Sequence, residues 1–165
     1  MSVRTCPWLL ETGENCSAPA KNNMHKLGLC EFHSSVQYMT QLAVQGRLLN
    51  ELGITDHSSG FTFLALDSDG NYRVGHAGTW ELLMPKLRKV FRDGELTKVV
   101  ALFDGGKSQY LSLVATLSPF WIEGRNSTYA PDEELTKAVS ELPSSDRFSD
   151  LPRNMTGLPD LFVWE

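Results

Sequence analysis

The chain has 165 residues and a formal net charge of −5, with 41% apolar and 21% charged side chains, which suits a globular protein with a real core of one domain or one domain plus a small appendage. No apolar run approaches the roughly 20 residues needed to cross a bilayer, and the opening MSVRTC lacks the apolar core of a signal peptide, so a cytoplasmic protein with no membrane partner is expected. Residues 111–165 carry nine acidic and four basic side chains while the rest is near neutral, a balance that argues against strong non-specific DNA binding, which needs a basic face.

Residues 1–33 read as loop, with Pro7, Gly13, Pro19 and Gly28 set among the three cysteines. An odd number of cysteines in a chain with no export signal argues against a disulfide framework. The pattern Cys6-x9-Cys16-x13-Cys30-x2-His33 instead supplies three thiolates and an imidazole. That is a closed tetrahedral zinc set of the structural type, and small segments of this kind often cannot fold without the metal. The tight Cys30-x2-His33 pair is the informative part, because one turn at the start of the following helix can present both ligands. His25 is a substitute ligand ranked below His33. The competing reading is three buried cysteines, packed as small hydrophobes, beside a surface histidine. The stretches GENCSAPA and LGLCEFH resemble the small zinc fingers of phage and bacterial nucleases and DNA-binding proteins; the resemblance implies structural zinc as cofactor.

Residues 34–54, SSVQYMTQLAVQGRLLNELGI, have helical spacing in Val36, Met39, Leu42 and Ala43 and again in Leu48, Leu49 and Leu52, with Gly46 marking a bend. The polar stretch TDHSSG at 55–60 is the expected boundary. FTFLAL, the turn DSDGN and YRVG then read as a β-hairpin. A helix over 79–94 follows, with Thr79 as N-cap, Pro85 kinking or dividing it and Gly94 after its end. A third strand is predicted over 97–105, a helix over 107–121 stopped by Pro119, and a short helix over 132–142. Lys86, Arg88, Lys89 and Arg92 form either a local basic patch or, in the plainer reading, a solvated helix face. The division is therefore 1–54 as zinc finger and helix, 60–142 as an α+β domain, and 143–165 as an acidic tail. The fold class is α+β, a small three-stranded sheet with flanking helices.

Phe61-Thr62-Phe63, the Asp69-Gly70-Asn71 turn and Tyr72-Arg73-Val74-Gly75, in that order, resemble the phage-type branch of the GIY-YIG nuclease superfamily. The order strand, strand, helix, strand, helix fits as well, and STYAPDEELTKAV is similar to that branch's closing aromatic and acidic-led helix. The resemblance covers about residues 60–140. It implies a water-activating tyrosine, a phosphate-steadying arginine and a glutamate holding one divalent metal. Here the first-strand aromatics are phenylalanines without a hydroxyl. Leu82, Leu83 and Met84 stand where the arginine is expected, with Arg88 more than a turn later. Gln109 stands where a glutamate is expected, and Glu123 falls after Pro119. His76, beside Gly75, is a stand-in for a lost acid–base group or simply an exposed histidine. The implied fold is kept and its chemistry depleted.

The tail ends in TGLPDLFVWE, five of whose last eight residues are apolar. Clusters of this kind need a partner or fold back onto the chain's own core. Leu158, Asp160, Leu161 and Phe162, with Trp164 beyond, resemble the peptide by which many proteins bind the bacterial sliding clamp, although Gly157 stands where that peptide has glutamine. The leading expectation is a non-catalytic, zinc-stabilised accessory or inhibitory protein of DNA metabolism, of the kind phages encode. It would bind a protein partner, the sliding clamp being the named candidate, or nucleic acid through the finger. The alternatives are a magnesium-dependent endonuclease using Tyr72 and Arg88 with Glu123 or Glu81 as metal ligand, and a protein inhibitor of a host enzyme with an unrelated α+β fold.

Overall fold

The computed structural model describes residues 4–21, 28–53 and 60–141, except the side chains of 91–92 and 138–141. The helices and strands follow one another as α1 (Glu31–Glu51), β1 (Phe61–Asp67), β2 (Tyr72–Ala77), α2 (Trp80–Arg92), β3 (Leu96–Asp104), α3 (Lys107–Leu117), a 3-10 turn (Ser118–Phe120), β4 (Thr128–Tyr129) and α4 (Glu133–Glu141). The predicted hairpin and all four predicted helices are present. The expected boundary at 55–60 lies almost wholly outside the described residues, as does the tail at 143–165.

The sheet has four strands rather than the expected three, all antiparallel, in the order β3-β1-β2-β4. The additional strand is two residues long and pairs Tyr129 with Tyr72 and Thr128 with Arg73. No alternation can announce so short a strand; it exists because β2 presents a free edge there. β1 is central and covered on both faces, which is why FTFLAL is a continuous apolar run rather than an alternating one. Its polar member, Thr62, is fully buried, and its hydroxyl donates to the Gly105 and Gly106 carbonyls at 3.1 and 3.0 Å. The β1–β2 turn is held by Asp67, whose carboxylate accepts the backbone N–H groups of Asp69 and Asn71, each at 2.9 Å. Such a side-chain mimic of a turn is what Asp supplies at this position.

Side-chain alternation divides the interior between the two faces of the sheet. Leu64, Tyr72, Val74, Ala101 and Phe103 pack with α1, α3 and Leu135 of α4. Phe61, Phe63, Ala65, Val99 and Leu102 pack with Leu83 and Leu87 of α2. α2 runs through Pro85 as one helix instead of dividing there. Thr79 caps it as expected, accepting the Leu82 N–H at 3.3 Å.

α1 shares the first of these two cores. Met39, Leu42 and Ala43 are buried in it and Leu49 packs against it, whereas Leu48 and Leu52 are exposed. Gly46 is not a bend but the point where α1 crosses α3: a Cβ there would overlap the Leu111 carbonyl and crowd the Ala115 methyl. Gly75 has an equivalent role in the sheet, since a Cβ would run into the ring of its cross-strand partner Phe63.

Gly46→Ala is therefore expected to destabilise the protein by about 1–3 kcal/mol, overpacking outweighing the gain of about 0.5–1 kcal/mol that alanine brings to a helix interior. Val44→Ala, at an exposed position on the same helix, should stay within roughly 0.5 kcal/mol. Urea denaturation checks both; a Gly46→Ala protein as stable as the parent would disprove the close crossing.

Candidate metal centre

Residues 4–20 form an irregular hairpin where loop was expected. Cys6 N–H donates to the Ala18 carbonyl (2.9 Å), Cys16 N–H to Trp8 (2.8 Å), Leu10 N–H to Glu14 (2.8 Å) and Ala20 N–H to Arg4 (2.9 Å). In this register Cys6, Trp8, Cys16 and Ala18 share one face, since alternate residues of a strand point the same way. α1 then brings its first turn to that face. It begins at Glu31, three residues before the predicted start, because Cys30 acts as its N-cap: the Cys30 sulfur accepts the His33 N–H at 3.5 Å. Cys30 and His33 thus project from one helical turn, as their spacing predicts.

The result is a cluster of Cys6, Cys16, Cys30 and His33 whose ligand atoms all lie within 4.8 Å of one another. His33 Nδ1 is 3.2 Å from the Cys30 sulfur and 3.5 Å from that of Cys6. A tetrahedral ion with thiolates at roughly 2.3 Å and an imidazole at roughly 2.0 Å needs ligand atoms about 3.5–3.8 Å apart. The four donors fit such an ion and could hold it. Cys6, Cys30 and His33 are buried, Cys16 is half-buried, and no cysteine is in a disulfide. His25 lies outside the described residues.

The surroundings act oppositely on two of the thiols. Burial pushes the Cys30 thiol up, and the neighbouring Cys6 and Cys16 sulfurs add to this against the His33 N–H. Burial also opposes ionisation of Cys6, but N–H groups of Cys30 and Trp8, with His33 and the Cys30 side chain, bring it down to about 7. The indole of Trp8 lies flat on the His33 ring, with centroids 4.8 Å apart and planes 5° apart, and Phe32 meets the same ring edge-on at 5.3 Å. These rings fix the imidazole and keep water from it. Sequence reasoning passes over Trp8; its signal is parity with Cys6 and Cys16, which becomes visible only once the hairpin is known.

The residues implied by the nuclease resemblance are not gathered in the same way. Tyr72 is only 6% exposed, in the core beneath α1 and α3, with its hydroxyl donating to Thr136 of α4 at 3.3 Å. Arg88 is exposed on α2, the helix that covers the opposite face of the sheet. Glu123 is exposed beyond the 3-10 turn, and Gln109 is half-buried on α3. Glu81 is exposed at the start of α2, its carboxylate lowered by its own N–H and the Thr79 hydroxyl. His76 packs on the Tyr110 ring at 4.7 Å, and burial, then Lys86 and Lys107, lower its pKa and favour the neutral imidazole. Lys86, Arg88 and Lys89 are all exposed, and Lys86 donates to the His76 carbonyl at 2.8 Å. The Arg92 side chain and the tail residues Leu158, Asp160, Leu161, Phe162 and Trp164 lie outside the described residues. Among the described residues, no helix is long and apolar enough to cross a membrane.

No protein-family model matches the chain, and comparisons with curated proteins and with solved structures found no match.

The chain is expected to bind one equivalent of divalent metal, and Cys30→Ser to lose it, as read by elemental analysis of the purified proteins. Binding should also weaken in acid. A thiol lowered to about 7 contributes as thiolate above that pH and is lost as the pH falls through it. A metal content unchanged by acidification, or by Cys30→Ser, would contradict the ligand set.

Proposed function

We propose that the four donors hold zinc, and that the chain is a non-catalytic, zinc-stabilised binding protein of DNA metabolism. Three thiolates and one imidazole are the soft, compact ligands that zinc takes in closed structural sites. Four protein ligands complete the tetrahedron and leave no position for water, so the metal's part is to pin the hairpin to α1.

The observation that carries the non-catalytic reading is the separation of Tyr72 from Arg88. A phosphate-cleaving site needs its base, its cation and its metal ligand to converge on one phosphorus within a few ångströms. The Tyr72 hydroxyl is under α4, bonded to Thr136, and Arg88 stands on the far side of the sheet. The order β1, β2, α2, β3, α3 is compatible with descent from a GIY-YIG-like ancestor whose chemistry has gone. What remains is recognition. The tail peptide with Leu158, Asp160, Leu161 and Phe162 supplies the docking element, and the bacterial sliding clamp, with its apolar peptide pocket, is the partner. Nucleic-acid contact through the finger is secondary, given the acidic balance of the chain.

Direct binding to purified sliding clamp tests this. The intact chain should bind, and Leu161→Ala/Phe162→Ala should weaken the complex at least roughly 30-fold, the loss of about 2 kcal/mol expected when a hot-spot pair is truncated. Neither the intact chain nor Tyr72→Phe should cleave DNA with magnesium. Cleavage by the parent that Tyr72→Phe abolishes would replace this reading with the endonuclease.

A further inference from the structure

Beside the metal centre and the sheet, a cavity of about 150 Å³ opens between α1, α3 and the chain that follows the 3-10 turn. Its walls are mixed: Met39 and Ala43 from α1, Val114 from α3 and the ring of Trp121 are apolar, while Thr40, Ser118 and Tyr129 add hydroxyl-bearing side chains. The Tyr129 hydroxyl is buried without a hydrogen-bond partner among the described residues. The Trp121 indole N–H is already committed to the Arg125 carbonyl at 2.7 Å, so this side chain offers the cavity only ring surface. Met39 and Val114 are deeply buried and form the floor, while Arg47, exposed on α1, forms part of the rim. Among the described residues Arg47 is the only charged side chain lining the cavity, and it makes no ion pair with any of them.

We propose that this cavity is a binding site for a small aromatic monocarboxylate. A space of about 150 Å³ admits a benzene-sized ring. The walls supply what such a ring gains from: aliphatic contact from Met39, Ala43 and Val114 and an aromatic face from Trp121. The guanidinium at the mouth adds a planar pair of donors that a carboxylate meets with both oxygens. One cation matches one negative charge, whereas a phosphate monoester would bring about two and leave the second unpaired. Size fixes the ring, and charge fixes its substituent. The proposal is independent of the sliding-clamp reading, since none of these residues belongs to the tail or to the metal cluster.

The test is a titration of the full chain with phenylacetate at millimolar concentrations, followed by amide and methyl chemical shifts. Saturable shifts are expected at Met39, Val114 and the Trp121 indole. The neutral analogue phenethyl alcohol should bind at least about tenfold more weakly, as should phenylacetate to Arg47→Gln, tenfold being the effect of about 1.4 kcal/mol. Arg47 is exposed, so this variant should fold normally. Ala43→Leu, which fills the cavity, should abolish the shifts; if it fails to fold, Arg47→Gln and the neutral analogue still decide. Absence of saturable shifts overturns the proposal. So does equal binding of acid and alcohol, or binding seen only after deletion of residues 143–165, which would assign the cavity to the chain's own tail.

Discussion

Three sulfurs and an imidazole nitrogen within 4.8 Å of one another is the constraint on which the N-terminal third depends. Left to themselves, three thiolates at this spacing repel, and burial penalises each charge further. A cation among them turns both penalties into attraction, and the N–H groups of Trp8 and Cys30 are already turned toward the Cys6 sulfur. Because Cys30 is at once one of the four donors and the N-cap of α1, the donor cluster and the start of that helix are joined at one residue. Further along, Gly46 lets the same helix settle against the Leu111 backbone of α3. α3 in turn covers one face of the sheet. The N-terminal hairpin is therefore tied to the sheet through a single helix, α1, with the donor cluster at its start and α3 against its later turns.

That continuity bears on how YRVG should be understood. In the nuclease resemblance these residues are chemical. In this fold they serve packing instead. Tyr72 fills the core between β4 and α4, Val74 lies in the same core, and Gly75 makes room for the Phe63 ring. A tyrosine so enclosed cannot reach a substrate without displacing α4. Arg88 makes the complementary point, since its helix lies on the face that Tyr72 does not see.

Much of this was legible in the residues, for physical reasons that can be named. The Cys30-x2-His33 pair could be read because one helical turn places residues three apart on one side. The β1–β2 hairpin could be read because Asp67, Gly70 and Asn71 are turn residues between two runs of β-formers. The start of α1 is hidden because a thiolate cap is absent from the usual Ser, Thr, Asp and Asn set. The N-terminal hairpin is hidden because its arms contain prolines and lack an apolar alternation; its order comes from cross-strand hydrogen bonds and the cluster of donors. β4 and the role of Gly46 depend on partners distant in sequence, which no local pattern encodes.

The two parts of the structure do not draw their stability from the same source. The sheet, α2 and α3 bury two apolar clusters that include Leu64, Leu83, Leu87, Leu102 and Val114, all at most 1% exposed. Burial of such side chains contributes roughly 1.5–3 kcal/mol each, and no metal enters that sum. The hairpin has nothing comparable. Among its residues Cys6 is the buried apolar one, and Leu9 and Leu10 at its tip face solvent. Its order rests on cross-strand hydrogen bonds and on the cluster of four donors, which could hold a metal. The hairpin thus lacks the apolar interior that the sheet has, and α1, with Cys30 and His33 at its start and Gly46 at its crossing with α3, links the donor cluster to the core of the sheet.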